Sequence, residues 1–558
     1  MARTPSVVLA LLALGACSRT GVGDPVGSGA GADGGTMDAG ARDASTAPSD
    51  AAPTDAASED LGTPDAPRPR LAAPTPVSPW SGFRTGSALG PETALRPIFL
   101  WGEVVGASRY ELQLTDACPR VAFGACSFEG ATTVTTTALE HGASSLGASR
   151  DGPVGTRWFW RVRGCDDARC SSWSGVRYVD VGRADRDVDG DGYADLVVVT
   201  RVTRTPTEVD RYRVSEVSLH RGTPGGLGAS SEPLLTSEDP DLAFVTPFVV
   251  DLDGDGFDDV ALLAAYADGD AGRLTLSRRL GGPSGLGERS EEMELPRGVY
   301  VPVADHGPSD VDNDGRGDVV FLSGERGAFG IERVLGGPGG ALTLAAYTPL
   351  GGGSDHRLTG TGAIADLSGD AIADAVVVAN QRLLVVAGGA GAGAPMTSEV
   401  VTRFPARLFA TPIALDATGN GRADIVVSDG WLPPDFQGGA HVFRAGDEGT
   451  LVAGEVLRAP AEYRSVGFVG TGGDVDGDGL AEMVLVGGQD TSTGFDDNQT
   501  IFVFPGAESG PGSTPSQTLR PPAGVRGIGL SVVLRDFDAD GRADLALSAT
   551  DPAEERLA

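Results

Sequence analysis

Carboxylates recur through the C-terminal two-thirds of the chain at a spacing that suits a hard cation. Asp187, Asp189, Asp191 and Asp195 fall at positions 1, 3, 5 and 9 of a nine-residue segment. The same spacing returns at Asp251, Asp253, Asp255 and Asp259, and again at Asp310, Asp312, Asp314 and Asp318. It recurs at Asp474, Asp476, Asp478 and Glu482, and at Asp536, Asp538, Asp540 and Asp544. Two copies are depleted: Asp366, Ser368, Asp370 and Asp374, then Asp416, Thr418, Asn420 and Asp424. In such a loop alternate side chains converge on one point and a glycine at position 6 allows a sharp bend. The carbonyl at position 7 adds a neutral oxygen, here from Tyr193, Phe257, Arg316, Ile372, Arg422, Leu480 and Arg542. A shell of about six to eight such hard oxygens selects Ca2+. The competing reading is a set of solvated acidic turns. It weighs most at Asp416, where Thr418 and Asn420 replace two charges, and less at Asp366, where Ser368 and Ala371 stand in for a carboxylate and the bend glycine. Of the 77 acidic residues, 25 occupy ligand positions of the seven loops, so a third of the acidity has a metal-binding explanation.

The elements that must hold these loops are strands. Each loop runs into a short apolar stretch, most of them Val- or Ile-containing: Leu196-Val-Val-Val, Val260-Ala-Leu-Leu, Val319-Val-Phe-Leu, Ala375-Val-Val-Val, Ile425-Val-Val, Met483-Val-Leu-Val and Leu545-Ala-Leu. An EF-hand fits badly, because it needs a bidentate Glu at about position 12 and a helix thereafter, whereas position 12 of the first loop is Val198. Dockerin modules also require helices and a shorter period. First aspartates are separated by 64, 59, 56, 50, 58 and 62 residues, a period that marks a repeat architecture. A second strand and a Gly-rich turn follow in several repeats, as in Leu280-Gly281-Gly282-Pro283, Leu335-Gly336-Gly337-Pro338 and Phe504-Pro505-Gly506.

These loops, strands and turns resemble the FG-GAP and VCBS repeats of bacterial surface proteins and of the integrin alpha-chain N-terminal β-propeller. The resemblance implies an all-β, seven-repeat, calcium-binding propeller over residues 183–558, with each loop joining the first two strands of a blade. Only fourteen residues follow Asp544. Either the last blade is incomplete, its open edge covered by a second chain or by the preceding domain, or the sequence ends early.

Residues 1–17 read as an export signal. Arg3 supplies the charge, Val7 to Leu14 are too short to span a bilayer, and Leu14-Gly15-Ala16-Cys17 resembles a bacterial lipobox with Cys17 as the lipidated residue. An ordinary cleaved signal is the alternative. Residues 18–73, rich in Ala, Asp, Gly, Thr, Ser and Pro, hold too little apolar surface for a core and are expected to form a disordered tether. Residues 74–182 carry short aromatic strands, among them Phe99-Leu-Trp101, Tyr110-Glu-Leu112 and Trp158-Phe-Trp160, expected to form a small β-sandwich. The segment resembles a fibronectin type III domain. It also holds Cys118, Cys126, Cys165 and Cys170, which in an exported protein read as disulfides. Three connectivities are open. Short spacing favours Cys118 with Cys126 and Cys165 with Cys170, and a zinc site is the rival.

A formal net charge of −34 makes nucleic acid an unsuitable partner. The five histidines share no repeated position, and no nucleophile elbow, zinc signature or phosphate loop is present, so the chain reads as a non-enzyme. The expected function is that of a lipid-anchored calcium-binding protein of the outer membrane or cell surface, touching the membrane only through its anchor. Its expected role is adhesion or recognition of an unknown protein or glycan. An envelope scaffold without ligand and a calcium-dependent polysaccharide-cleaving enzyme are the alternatives.

Overall fold

Alternation of apolar and polar residues builds the N-terminal body. In the strand Arg109–Thr115, Tyr110, Leu112 and Leu114 are buried while Arg109, Glu111 and Gln113 reach toward solvent, as period-two patterning requires. This computed structural model describes residues 70–557 except 204–211, 240, 267–272, 291, 297–298, 303–308, 326–327, 353–357, 380–381, 390, 392, 394–395, 404–410, 430–437, 447–450, 490–498, 521–530, 549 and 552–555. The export signal, Cys17 and nearly all of the tether lie outside the described residues.

Two sheets form the first body. One joins Pro76–Ser78, Ile98–Trp101 and Glu140–Gly142; the other has the order Phe83–Arg84, Arg177–Val181, Thr156–Cys165, Arg109–Thr115, Thr132–Thr136. They share a core of Phe99, Trp101, Leu112, Trp160, Val162 and Val179, so the body is a small sandwich. Cys118 is bonded to Cys126 and Cys165 to Cys170.

Beyond this body the described residues form seven further sheets, one for each aspartate loop, and the chain is all-β. The second sheet shows the pattern: Leu242–Val250, Asp259–Tyr266, Arg273–Arg279 and Met293–Glu294 pair in sequence order, antiparallel throughout, and the Asp251 loop joins the first two. Strands such as Asp259–Tyr266 are apolar along both faces because each sheet packs against two neighbours. Separate cores lie between the first and second sheets (Val217, Val249), second and third (Leu263, Phe321), third and fourth (Ile331, Val377), and fourth and fifth (Val376, Val427). The series continues between fifth and sixth (Ile413, Leu485) and sixth and seventh (Val486, Leu534). A final core of Ala194, Leu196, Phe537 and Ala546 joins the seventh sheet to the first.

The two end sheets depart from the pattern. Described strands of the seventh are Val532–Arg535 and Asp544–Leu547, a pair without outer partners. The first sheet has no preceding repeat strand, since the chain arrives from the sandwich. Beside Leu196–Thr203 the sheet continues with Arg556–Leu557 and then Thr550–Asp551, with Leu557 opposite Arg201 and Arg556 opposite Val202. Thr550–Asp551 and Arg556–Leu557 therefore extend the first sheet rather than the seventh.

Candidate metal centres

Each loop is organised around its position-1 carboxylate, which gathers backbone N–H groups of its own loop. Asp187 accepts from Gly190, Asp191 and Gly192 at 2.7 to 3.1 Å, and Asp366 accepts in the same way from Gly369, Asp370 and Ala371. The position-9 carboxylate ties the loop to its sheet. Asp195 accepts from Val188 at 3.0 Å and, through its other oxygen, from Gly222 at 2.9 Å. Asp259 with Leu252 and Gly281, Asp318 with Val311 and Gly336, Asp374 with Leu367 and Gly388, and Glu482 with Val475 and Gly506 repeat the arrangement. Asp424 does the same with Ala417 and Ala445.

This explains the Gly-rich turn. A Cβ at Gly281 would stand 2.3 Å from Asp258 O, and one at Gly336 would stand 2.4 Å from both Gly317 O and Leu252 O. The strand exit must pass that close to two loops to deliver its N–H. Neighbouring loops are also stitched together: position 8 of one loop donates its N–H to the position-1 carbonyl of the loop before, as in Asp258 to Asp187, Gly317 to Asp251 and Ala543 to Asp474, at 2.6 to 3.0 Å. Position 4 as well as position 6 takes a left-handed backbone. Glycine fills most of these places, but Asn313, Ala371 and Ala539 adopt φ of 58°, 61° and 59°. Ala371 thus makes the bend expected of glycine, at a steric cost.

The loops bring together the carboxylates that spacing singled out, with differences in detail. Asp187, Asp189 and Asp195 converge with ligand oxygens within 4.8 Å of one another, as do Asp310, Asp312 and Asp318, and Asp474, Asp476 and Glu482. In the second loop the converging set is Asp251, Asp253 and Asp255. Position 5 of the third loop is diverted, since Asp314 pairs with Arg316 at 2.7 Å. In the fifth loop Asn420 is exposed and Thr418 Oγ1 donates to Asp424 at 3.2 Å, a leaner donor set.

Whether these groups suit Ca2+ is decided by what they lack. Asp189 Oδ1 and Asp312 Oδ1 are shut off from solvent and accept no hydrogen bond from the protein. Burial pushes the Asp187 carboxyl up to about 7, with Asp191, Asp258 and Asp189 adding to the rise against the Gly192 N–H. Burial likewise raises Asp195 to about 8 and Glu482 to about 7 over the opposition of their backbone donors. Clustered, desolvated carboxylates with free lone pairs are a donor set of the kind that hard divalent cations such as Ca2+ take. When bound, the ion would supply the charge that lets the carboxylates share one point in ionised form.

The sandwich lies against the loops, hydrogen-bonding to the first four and approaching the fifth at Gly421 beside Leu100 and the seventh at Gly541 beside Pro91. Val154 N donates to Gly190 O at 3.0 Å, Ala122 N to Asp314 O at 3.1 Å, and Ser81 N to Ala371 O at 2.9 Å. Trp80 packs onto the third–fourth and fourth–fifth cores. Beside it a cavity of about 490 Å³ is lined by Trp80, Phe83, Arg84, Asp185, Asp416 and Arg422.

At the centre of the seam stands Asp258, fully buried, which accepts from both terminal nitrogens of Arg84 at 2.6 and 2.5 Å, from Arg183 at 2.9 Å and from Asp187 N at 2.9 Å. Sequence reasoning passed over it. The available signal was its place at position 8, where the other loops carry Ala194, Gly317, Ala373, Ala423, Ala481 and Ala543.

Residues 187–262 match the FG-GAP-like repeat. That stretch holds the first two aspartate loops and all the described strands between them. A search of the curated proteins found no match. Among solved structures, the chain is similar to a mutant of the Synechocystis apocarotenoid oxygenase at 10% identity and a TM-score of 0.26, over 84% of this chain and 91% of that chain. A likeness that small carries no argument about this chain. The FG-GAP-like repeat is the firm point of comparison, and it agrees with the all-β fold.

Proposed function

We propose that this chain is an exported, lipid-anchored Ca2+-binding protein whose seven sheets are the blades of a β-propeller, and that it acts at the cell surface by binding a protein or glycan. The observation that carries the reading is the convergence of carboxylates at equivalent loops of successive sheets, with Asp189 Oδ1 and Asp312 Oδ1 buried and unsatisfied. The cores between consecutive sheets, including the seventh and first, support the ring. Cys17 would anchor the chain and residues 18–73 would hold the folded part off the membrane by roughly 40 Å. The sandwich occupies much of the aspartate-loop side, so a protein partner is expected at the loops at the other ends of the strands. The cavity beside Trp80, whose aromatic wall faces charged groups, is of a size to take a sugar unit. The test is binding of the full chain to an array of envelope and host glycans and matrix proteins, in calcium and after metal stripping. A partner retained only in calcium supports the reading; retention indifferent to calcium removes the loops from the function.

A further inference from the structure

The polar groups that meet the second and third loops come from the sandwich and from the connector behind it. Tyr178, on the strand Arg177–Val181, is buried and donates its hydroxyl to Asp310 Oδ2 at 2.7 Å. Asp310 is position 1 of the third loop, and the same oxygen accepts from Gly315 N at 2.9 Å. The tyrosine is held on both sides: the Arg157 guanidinium lies 3.9 Å from its ring centroid and Phe123 meets it edge-on at 5.2 Å. Arg157 in turn reaches Gly315 O at 2.7 Å and grips Asp180 through two nitrogens at 2.8 Å. Arg183 donates to Asp251 Oδ2, position 1 of the second loop, at 3.0 Å, and Arg120 Nε donates to Gly254 O at 2.9 Å. Tyr178, Arg157, Asp180, Arg183, Asp251 and Asp310 are each no more than 5% exposed, so the row is continuous and dry.

We propose that the second and third cation sites are composite: Tyr178 and Arg183 are outer-sphere donors that fix the carboxylates of Asp310 and Asp251, so that cation binding and seating of the sandwich are thermodynamically linked. The inference rests on reading the loops as Ca2+ sites. A ligand carboxylate must present its oxygens at a fixed angle, and in metal sites the partners that orient it are worth about 10–100-fold in affinity. Linkage is reciprocal, so whatever the sandwich contributes to cation affinity the cation returns to sandwich seating. The sixth loop provides an internal control, because its position-1 carboxylate, Asp474, is held by Gly477 and Gly479 of its own loop.

The experiment uses the full chain with Ca2+ as the probe, in wild type, Tyr178→Phe, Asp310→Asn and Asp474→Asn. It reads calorimetric titration together with hydrogen exchange over residues 177–183. In wild type, saturating Ca2+ slows exchange at 177–183. Tyr178→Phe weakens one site by about tenfold and loses most of that protection. Asp310→Asn loses one site and the protection with it, which keeps the test open should Tyr178→Phe fail to fold; Asp474→Asn loses one site and keeps the protection. Wild type that takes up Ca2+ with no change at 177–183, or Tyr178→Phe that titrates as wild type, overturns the composite sites alone. Wild type that takes up no Ca2+ overturns the cation reading and this inference with it.

Discussion

Replacing Asp258 by alanine removes the hub of the seam while leaving every proposed metal ligand in place. The carboxylate is fully buried and holds two guanidiniums and the Asp187 N–H. After its loss Arg84 retains Asp185 at 3.3 Å and the Ala184 carbonyl at 3.4 Å, and Arg183 retains Asp251 at 3.0 Å and Asp180 at 3.5 Å. Breaking a buried pair by deleting one partner costs about 3–5 kcal/mol, and the surviving contacts place this case near the lower end, at about 3 kcal/mol. Over a body of about 375–490 residues, with an unfolding entropy of about 2.1 cal/mol/K per residue, that is a fall of roughly 3–4 °C in melting temperature. Differential scanning calorimetry of wild type, Asp258→Ala and Asp258→Asn reads it directly. The asparagine variant keeps an acceptor but not the charge, and is expected to fall between the other two. An alanine variant within about 1 kcal/mol of wild type would refute the argument that the arginines depend on this residue.

Two loop alanines carry a strain that glycine would relieve. With a left-handed alanine costing about 1–2 kcal/mol and the added flexibility of glycine about 0.5–1 kcal/mol, Ala371→Gly and Ala539→Gly should each stabilise by roughly 0.5–1 kcal/mol in urea melts. Stability should depend on pH in opposite senses with and without calcium. In metal-stripped protein Asp187 and Asp195 are raised to about 7 and 8, so the folded state binds extra protons; the stability they contribute is full below the ordinary carboxylate range and is lost as pH rises through 7 to 8. In calcium the same groups are ionised in the folded state and protons compete with the ion, so stability falls as pH falls. The melting-temperature difference between calcium-loaded and stripped protein should therefore widen from pH 5.5 to 8, and a constant difference would contradict the assignment. Cys17→Ala is expected to shift the expressed protein from the membrane to the soluble fraction, read by fractionation and immunoblot.

The loops were legible because an aspartate loop is a local object. Asp187, Asp189 and Asp195 converge through the conformation of nine residues, and the strand after each loop announces itself by a short apolar run. What joins distant segments left little mark. Tyr178 looks like any inward strand tyrosine, and nothing near it in sequence points to Asp310. Arg183 and Arg84 read as surface charges until Asp258 is seen between them. The pairing of Arg556–Leu557 with the first sheet joins the two ends of the repeat body, and backbone pairing of that kind has no composition of its own. Ala371 shows the limit of residue rules in the other direction: the bend forms without glycine because Asp366 accepts the Ala371 N–H at 2.8 Å and holds the turn.

Calcium in the aspartate loops is checked by counting the metal bound to the purified full chain by mass spectrometry, alongside its melting temperature in calcium and after stripping. Five to seven tightly held calcium ions per chain are expected from the loop sequences. A site filled to about 100 times its dissociation constant adds about 2.7 kcal/mol, so the melting temperature should rise by many degrees. No bound calcium and an unchanged melting temperature would mean that the carboxylates are acidic turns and that the account fails.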